Sequence, residues 1–317
     1  MTADVCASCI VEDDPALPAV STSGLKWLGI GVSGIVYPLD EDTVVKVAPT
    51  WDSDYATNES LDDLQIERLV YQHLGTHPRI CRYISSVHRG IVLERFGDPL
   101  RKRLVELHGR NESPSHTQAL KWSTQAAEGL AYLHRKKVVQ GDIGCHNILL
   151  KSDEVKLCDF GGSSIHGKPA KVGYECRSQR WDDTHENPSI RAELFALGST
   201  IYEIWTTTRP FQDDPDDMVE EKYKCRRFPD VDALPVAGII KGCWYGTYDS
   251  ADEVVTALKS LQTERTVAPN FTNVNNWTIF ATFTCVVTAC TLALWLKPHA
   301  AVGTLRKNRF PWYFWGR

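Results

Sequence analysis

The sequence predicts an α+β fold of two lobes around a cleft: a small N-terminal antiparallel sheet with one helix, then a larger, mainly helical lobe. Three observations carry this. Strand patterns crowd the N-terminal part of the chain and helical periodicity takes over later. The clustered polar motifs fall between the two. Ala192–Trp205 (AELFALGSTIYEIW) is apolar nearly all round, as a helix at a domain centre would be.

In chain order, Leu28–Val36 mixes glycines with apolar residues and Thr43–Val47 is rich in β-branched residues, so both read as strands, with a turn at Asp40-Glu41-Asp42. Leu61–Leu74 reads as a helix from Leu61, Leu64, Ile66, Leu69 and Val70, stopped before Pro78. Arg89–Phe96 reads as a buried strand, and Gly97-Asp98-Pro99 as a turn into a helix capped by Asp98. Ser115 caps a longer helix whose apolar face is Leu120, Trp122, Ala126, Leu130 and Leu133. Ile148–Leu150 and Val155–Cys158 then form a hairpin through Lys151-Ser152-Asp153-Glu154. No internal repeat is visible.

Composition bounds the function. The 317 residues are 43% hydrophobic and 24% charged, ordinary for a chain with a substantial core. A formal charge of -5 gives no basic signal for nucleic acid, so no nucleic-acid partner is expected. Ten scattered cysteines, with no secretory signal, read as reduced thiols in the cytosol. Cys6 and Cys9 form a CxxC, but no second pair completes a zinc site.

Residues 1–24 mix acids, prolines and small residues and read as a disordered tail. A linker is expected at 263–276, and Trp277–Leu296 is a 20-residue stretch without a charge. As a helix it would span about 30 Å, a bilayer core. It reads as a single-pass C-terminal membrane anchor with the preceding domain in the cytosol; a wholly cytoplasmic chain is the alternative. Five threonines temper its hydrophobicity, and the 297–317 tail is basic and aromatic. Its lysines and arginines alone would keep the tail cytosolic and place the domain on the far side, away from ATP. The lack of a leader outweighs that.

Two patterns suggest phosphate chemistry. Gly29-Ile-Gly31-Val-Ser-Gly34-Ile-Val36 matches G-x-G-x-x-G-x-V, in which glycines let backbone N–H groups approach phosphate oxygens. Alone it is weak and reads more readily as a glycine-rich hairpin. Lys46, inside the apolar run Val44-Val45-Lys46-Val47, strengthens it, because a lysine there needs a partner. Glu67 on the following helix is the candidate; beside Arg68 it would otherwise be a solvated helix position.

The second pattern is Asp142-Ile-Gly-Cys-His-Asn147 with Asp159-Phe160-Gly161 twelve residues on. Oxygen ligands for Mg²⁺ and a carboxylate for an attacking hydroxyl are what phosphoryl transfer requires. Ordinary turn chemistry uses the same residue types, but not five polar matches in this order.

On these motifs the chain resembles the eukaryotic protein kinase superfamily over about residues 25–262, and that resemblance implies the two-lobed protein-kinase-like fold. Similarity is greatest to small single-domain kinases of fungi, on Gly141-Asp142-Ile143 and on 193–204. The resemblance implies a non-RD serine/threonine kinase using ATP and Mg²⁺ on a protein substrate. It implies Asp142, Lys46 and Glu67 as catalytic, and Asn147 and Asp159 as metal ligands. Nucleotide contacts would come from Gly29, Gly31, Gly34, Val36, Val44, Lys46, Glu94, Asn147 and Asp159.

The chain departs from the family pattern at several places. Gln140-Gly141-Asp142 replaces His-Arg-Asp, which removes the arginine that reads an activation-loop phosphate. Gly144 replaces the lysine that helps neutralise the transferring phosphate, and Val44 the alanine beside adenine. No Ala-Pro-Glu is recognisable between Lys171 and Asn187, and its arginine partner is missing near Cys243-Trp244. Glu193 stands where a shorter aspartate usually braces the catalytic loop. These departures keep two rivals open, a pseudokinase scaffold that binds nucleotide weakly and a small-molecule or KEOPS-like atypical kinase.

Overall fold

The computed structural model describes residues 16–31, 33–165, 167, 169–171, 173–181 and 188–267. Cys6 and Cys9, the apolar segment 277–296, the 297–317 tail and all of the 263–276 linker beyond Val267 lie outside the described residues.

The N-terminal lobe is a five-stranded antiparallel sheet in the order β1-β2-β3-β5-β4. Its strands are β1 (Gly29–Ile30), β2 (Ile35–Pro38), β3 (Thr43–Val47), β4 (Tyr83–Val87) and β5 (Gly90–Glu94). The expected strand 28–36 is therefore two short strands on either side of the glycine turn. Central β3 pairs with both β2 and β5, and this register sets Lys46 opposite Val36 on one side and Ile91 on the other.

Helix α1 (Asp54–Leu74) begins seven residues before the expected Leu61. Ser53 caps it by accepting the Ala56 N–H, and its first two turns are polar and mostly exposed, so apolar periodicity could not mark them. Residues 16–24 are not the disordered stretch the sequence suggests. The Pro18 carbonyl accepts the His88 N–H at 3.1 Å, and Val20 packs on a cluster of Val45, Val87 and Val92. Apolar contact on the outer face of the sheet overrides the polar composition.

A second small antiparallel sheet, β6 (Asp98–Pro99), β7 (Ile148–Lys151) and β8 (Glu154–Leu157), carries the expected hairpin. Asp98 is not a helix cap. It pairs with Leu150 in β6, and α2 (Leu100–Gly109) starts after Pro99 with no side-chain cap. Pro99 is the N-cap residue, with an extended ψ of 137°, and it ends β6 by pairing with Leu149.

Helix α3 (His116–Arg135) starts at a full capping box between Ser115 and Gln118. Helix α4 (Ile190–Thr206) runs through the main core with thirteen buried residues, Glu193 among them. It packs on α3 and on α6 (Ala237–Tyr245), while α5 (Asp216–Lys224) and α7 (Ala251–Val267) complete the lobe. Because α7 runs to Val267, the linker cannot begin at 263. No helix among the described residues is long and apolar enough to cross a membrane.

Candidate active site

Every residue expected to contact nucleotide lines one cavity of about 450 Å³ beneath the N-terminal sheet. Gly29, Ile30, Gly31, Gly34 and Val36 form its roof, Val44 and Lys46 its back wall, and Leu93 to Pro99 its rim. Asn147, Leu149, Cys158 and Asp159 form the floor. Of the three glycines only Gly34 is sterically compelled. A Cβ there would meet Lys46 Cγ at 2.8 Å and Cε at 3.0 Å. Glu94 lines the rim with its carboxylate already committed to the Arg82 N–H at 2.6 Å and to Lys156 Nζ at 2.5 Å.

Lys46 is 5% exposed, so its charge requires partners. It has two: its Nζ lies 2.6 Å from Glu67 Oε2 and 3.0 Å from Asp159 Oδ1. Burial works against the Lys46 ammonium, but Asp159 and Glu67 more than offset it and hold its pKa above the ordinary lysine range. Burial likewise pushes the Glu67 carboxyl up, opposed by Lys46. Asp159 differs: burial alone would raise it, yet Lys46 wins and holds it below its ordinary value. Its side chain is 42% exposed and opens toward the cavity. Asp159 sits at a φ of 59°, a left-handed conformation that a non-glycine residue keeps only where its surroundings enforce it. The Gln140 amide supplies part of that enforcement, donating to the carbonyls of Cys158 (2.8 Å) and Asp159 (3.1 Å). Phe160, fully buried, packs edge-on against Tyr71 of α1 at 5.0 Å.

Asp142 and Asn147 are held by the catalytic loop itself. Asn147 Nδ2 donates to the Asp142 carbonyl at 2.9 Å and to Asp142 Oδ2 at 3.1 Å. That oxygen also meets His146 Nε2 at 3.0 Å. The described bonds thus engage Asp142 through Oδ2, and they turn the Asn147 amide oxygen away from Asp142. Asp159 and Asn147 are hard oxygen donors of the type that Mg²⁺ takes, and both line the cavity. The donor set fits the implied ion.

Glu193 does reach the catalytic loop: Oε1 accepts the Gly141 N–H at 2.9 Å while Oε2 meets His134 Nε2 at 2.7 Å. Where Ala-Pro-Glu was absent, Arg177 ties the segment down. Its guanidinium binds Asp216 and the Asp214 carbonyl, and its own carbonyl accepts the Tyr223 hydroxyl at 3.0 Å. Sequence reasoning missed Arg177, His146, Arg101 and Glu175. The only signal available was a histidine four residues after Asp142, a spacing that means little outside a helix.

A family model described as protein kinase domain matches residues 23–265. Among curated proteins the chain is 25% identical over 252 residues to the serine/threonine-protein kinase CTR1 of Arabidopsis thaliana, covering 73% of this chain and 30% of that one. It is 29% identical over 227 residues to mitogen-activated protein kinase kinase kinase 1 of the same plant, covering 65% and 36%. To mitogen-activated protein kinase kinase kinase 13 of Mus musculus it is 25% identical over 215 residues, covering 64% and 21%. The matched stretch spans about a third of these relatives' length or less.

Proposed function

The chain belongs to the protein kinase family, and from that premise we propose that it transfers the γ-phosphoryl group of Mg-ATP to a serine or threonine hydroxyl of a protein. The observation that carries the reading is Lys46, paired with both Glu67 and Asp159 at the back of the cavity that Asn147 lines. A bare scaffold has no need of a buried lysine between two carboxylates. The serine/threonine kinases among the relatives favour a protein hydroxyl over a small molecule.

In this reading Lys46 orients the α- and β-phosphates, and Gly29, Gly31 and Gly34 leave backbone N–H groups near the phosphates. Asp159 and the amide oxygen of Asn147 would hold Mg²⁺, which supplies charge neutralisation to the phosphate oxygens. Asp142 Oδ2 is engaged by His146 and Asn147, so Oδ1 is the atom that receives the proton of the incoming hydroxyl. The new O–P bond forms as the bond to the ADP oxygen breaks, and the proton rests on Asp142.

Two measurements on the full chain test this. Mg-ATP at about 100 times its dissociation constant should add roughly 2.7 kcal/mol of stability, a rise of several degrees in melting temperature. Labelled phosphate should pass to a generic protein substrate, and Asp159→Asn should abolish the transfer. No thermal response at millimolar Mg-ATP would sink the proposal.

The reading also places the domain on the cytosolic side of a membrane, anchored through Trp277–Leu296, a stretch of 20 residues without a charge. Full-length protein should stay with the membrane pellet through carbonate extraction, while a chain ending at Thr263 should appear in the supernatant. Recovery of both in the soluble fraction would remove the anchor.

A further inference from the structure

Arg101, at the start of α2, makes four charge-assisted hydrogen bonds to two carboxylates that lie far from it in sequence. Its Nη1 and Nη2 bind Glu175 Oε1 and Oε2 at 2.6 and 2.7 Å. Its Nε and Nη2 bind Glu203 Oε1 and Oε2 at 2.7 and 2.9 Å. Glu203 belongs to α4 and is 6% exposed at its side chain, so one end of this arrangement is fixed in the core. Glu175 belongs to the segment that follows Asp159-Phe160-Gly161 and is 31% exposed, so the other end is the part that needs holding.

The arrangement reaches the reacting groups. The Arg101 backbone N–H donates to the Cys145 carbonyl of the catalytic loop at 3.0 Å. Glu175 Oε2 lies 3.7 Å from His146 Nδ1, and the other nitrogen of that ring meets Asp142 Oδ2 at 3.0 Å. Two acids sharing one guanidinium repel each other once it is removed, and only a planar fork can serve both in parallel.

We propose that Arg101 is a positioning residue: through Glu203 it clamps Glu175 against the His146–Asp142 pair. A fixed guanidinium thereby sets the segment after Asp159, in place of an added phosphate. Gly141 supports this, because the residue before Asp142 carries no cation that a phosphate could bind. The catalytic half of the proposal rests on the phosphoryl-transfer reading; the clamp itself does not.

The test pairs amide hydrogen exchange across residues 174–178 with steady-state kinetics on the full chain. Arg101→Met keeps the methylene packing and removes the fork. It should raise exchange in that stretch at least tenfold and lower kcat about tenfold, with KM for ATP within about twofold. Arg101→Lys keeps the charge but not the fork and should behave like Arg101→Met. Glu175→Gln, a partly exposed change that spares the core, should reproduce the fall in kcat. The double variant should be no slower than either single one, because both act through the same contact. Phosphatase treatment should leave wild-type turnover unchanged. Unchanged exchange in Arg101→Met and Arg101→Lys, additive losses in kcat, or loss of activity on phosphatase treatment would each overturn the proposal. Raised exchange in the Arg101 variants, beside a wild-type chain that shows no turnover, would overturn the phosphoryl-transfer reading and leave the clamp standing.

Discussion

Asp142→Asn is expected to lower turnover by about 10²- to 10⁴-fold while leaving affinity for ATP within about threefold. The asymmetry follows from where the residue sits. Asp142 is absent from the lining of the nucleotide cavity, whereas Lys46, Asn147 and Asp159 are part of it. In the proposed reaction its work is to receive a proton from the incoming hydroxyl, a contribution made only as the transition state is approached. Asparagine is close in volume and can still meet His146 and Asn147, so the loop should keep its shape. Its amide cannot take up the proton. Isothermal titration with a non-hydrolysable ATP analogue, beside initial rates, separates the two quantities. Equal losses in both would assign Asp142 a structural role.

Phe160→Ala should carry the largest penalty in stability, about 3–5 kcal/mol, read as a shift in denaturant midpoint at constant slope. Phe160 is fully buried and packs edge-on against Tyr71, whose ring stacks in turn on Tyr83 at 6.3 Å. Tyr71 lies one helical turn from Glu67 on α1, so the cavity left by the ring opens under the same helix face that presents Glu67 to Lys46. Activity should therefore fall further than the loss of folded protein explains. A loss below about 1 kcal/mol would mean that the site collapses around the missing ring.

Much of this site was legible because its residues contradict their local setting. A lysine in a β-branched strand asks for a counter-charge, and Glu67 supplies it at 2.6 Å. The order and spacing of Asp142, Asn147 and Asp159 could be counted along the chain. Ser115 announced the start of α3, and its capping box is present. Other parts carried no local signal. Strand β4 reads YISSV, an edge strand that exposes the adjacent Ile84 and Ser85, and so lacks a clean two-residue alternation. Helix α5 is mostly charged and α6 is only nine residues long, and both take their shape from packing against the core around α4. The Arg101 clamp joins residues 74 and 102 positions apart, a distance over which no periodicity in the sequence extends.

Gly144 and His146 also constrain the routes by which this chain could change. A Cβ at position 144 would lie 2.6 Å from His146 Cε1 and 2.7 Å from its Nδ1, closer than real side chains approach. Replacing the glycine by lysine in a single step therefore forces the imidazole off Asp142 before the new ammonium can contribute anything. The reverse order, with histidine lost first, passes through a loop that has neither group. Each single substitution is expected to turn over more slowly than either endpoint, a reciprocal sign epistasis set by one van der Waals contact that rates of the two single variants and the double variant would check.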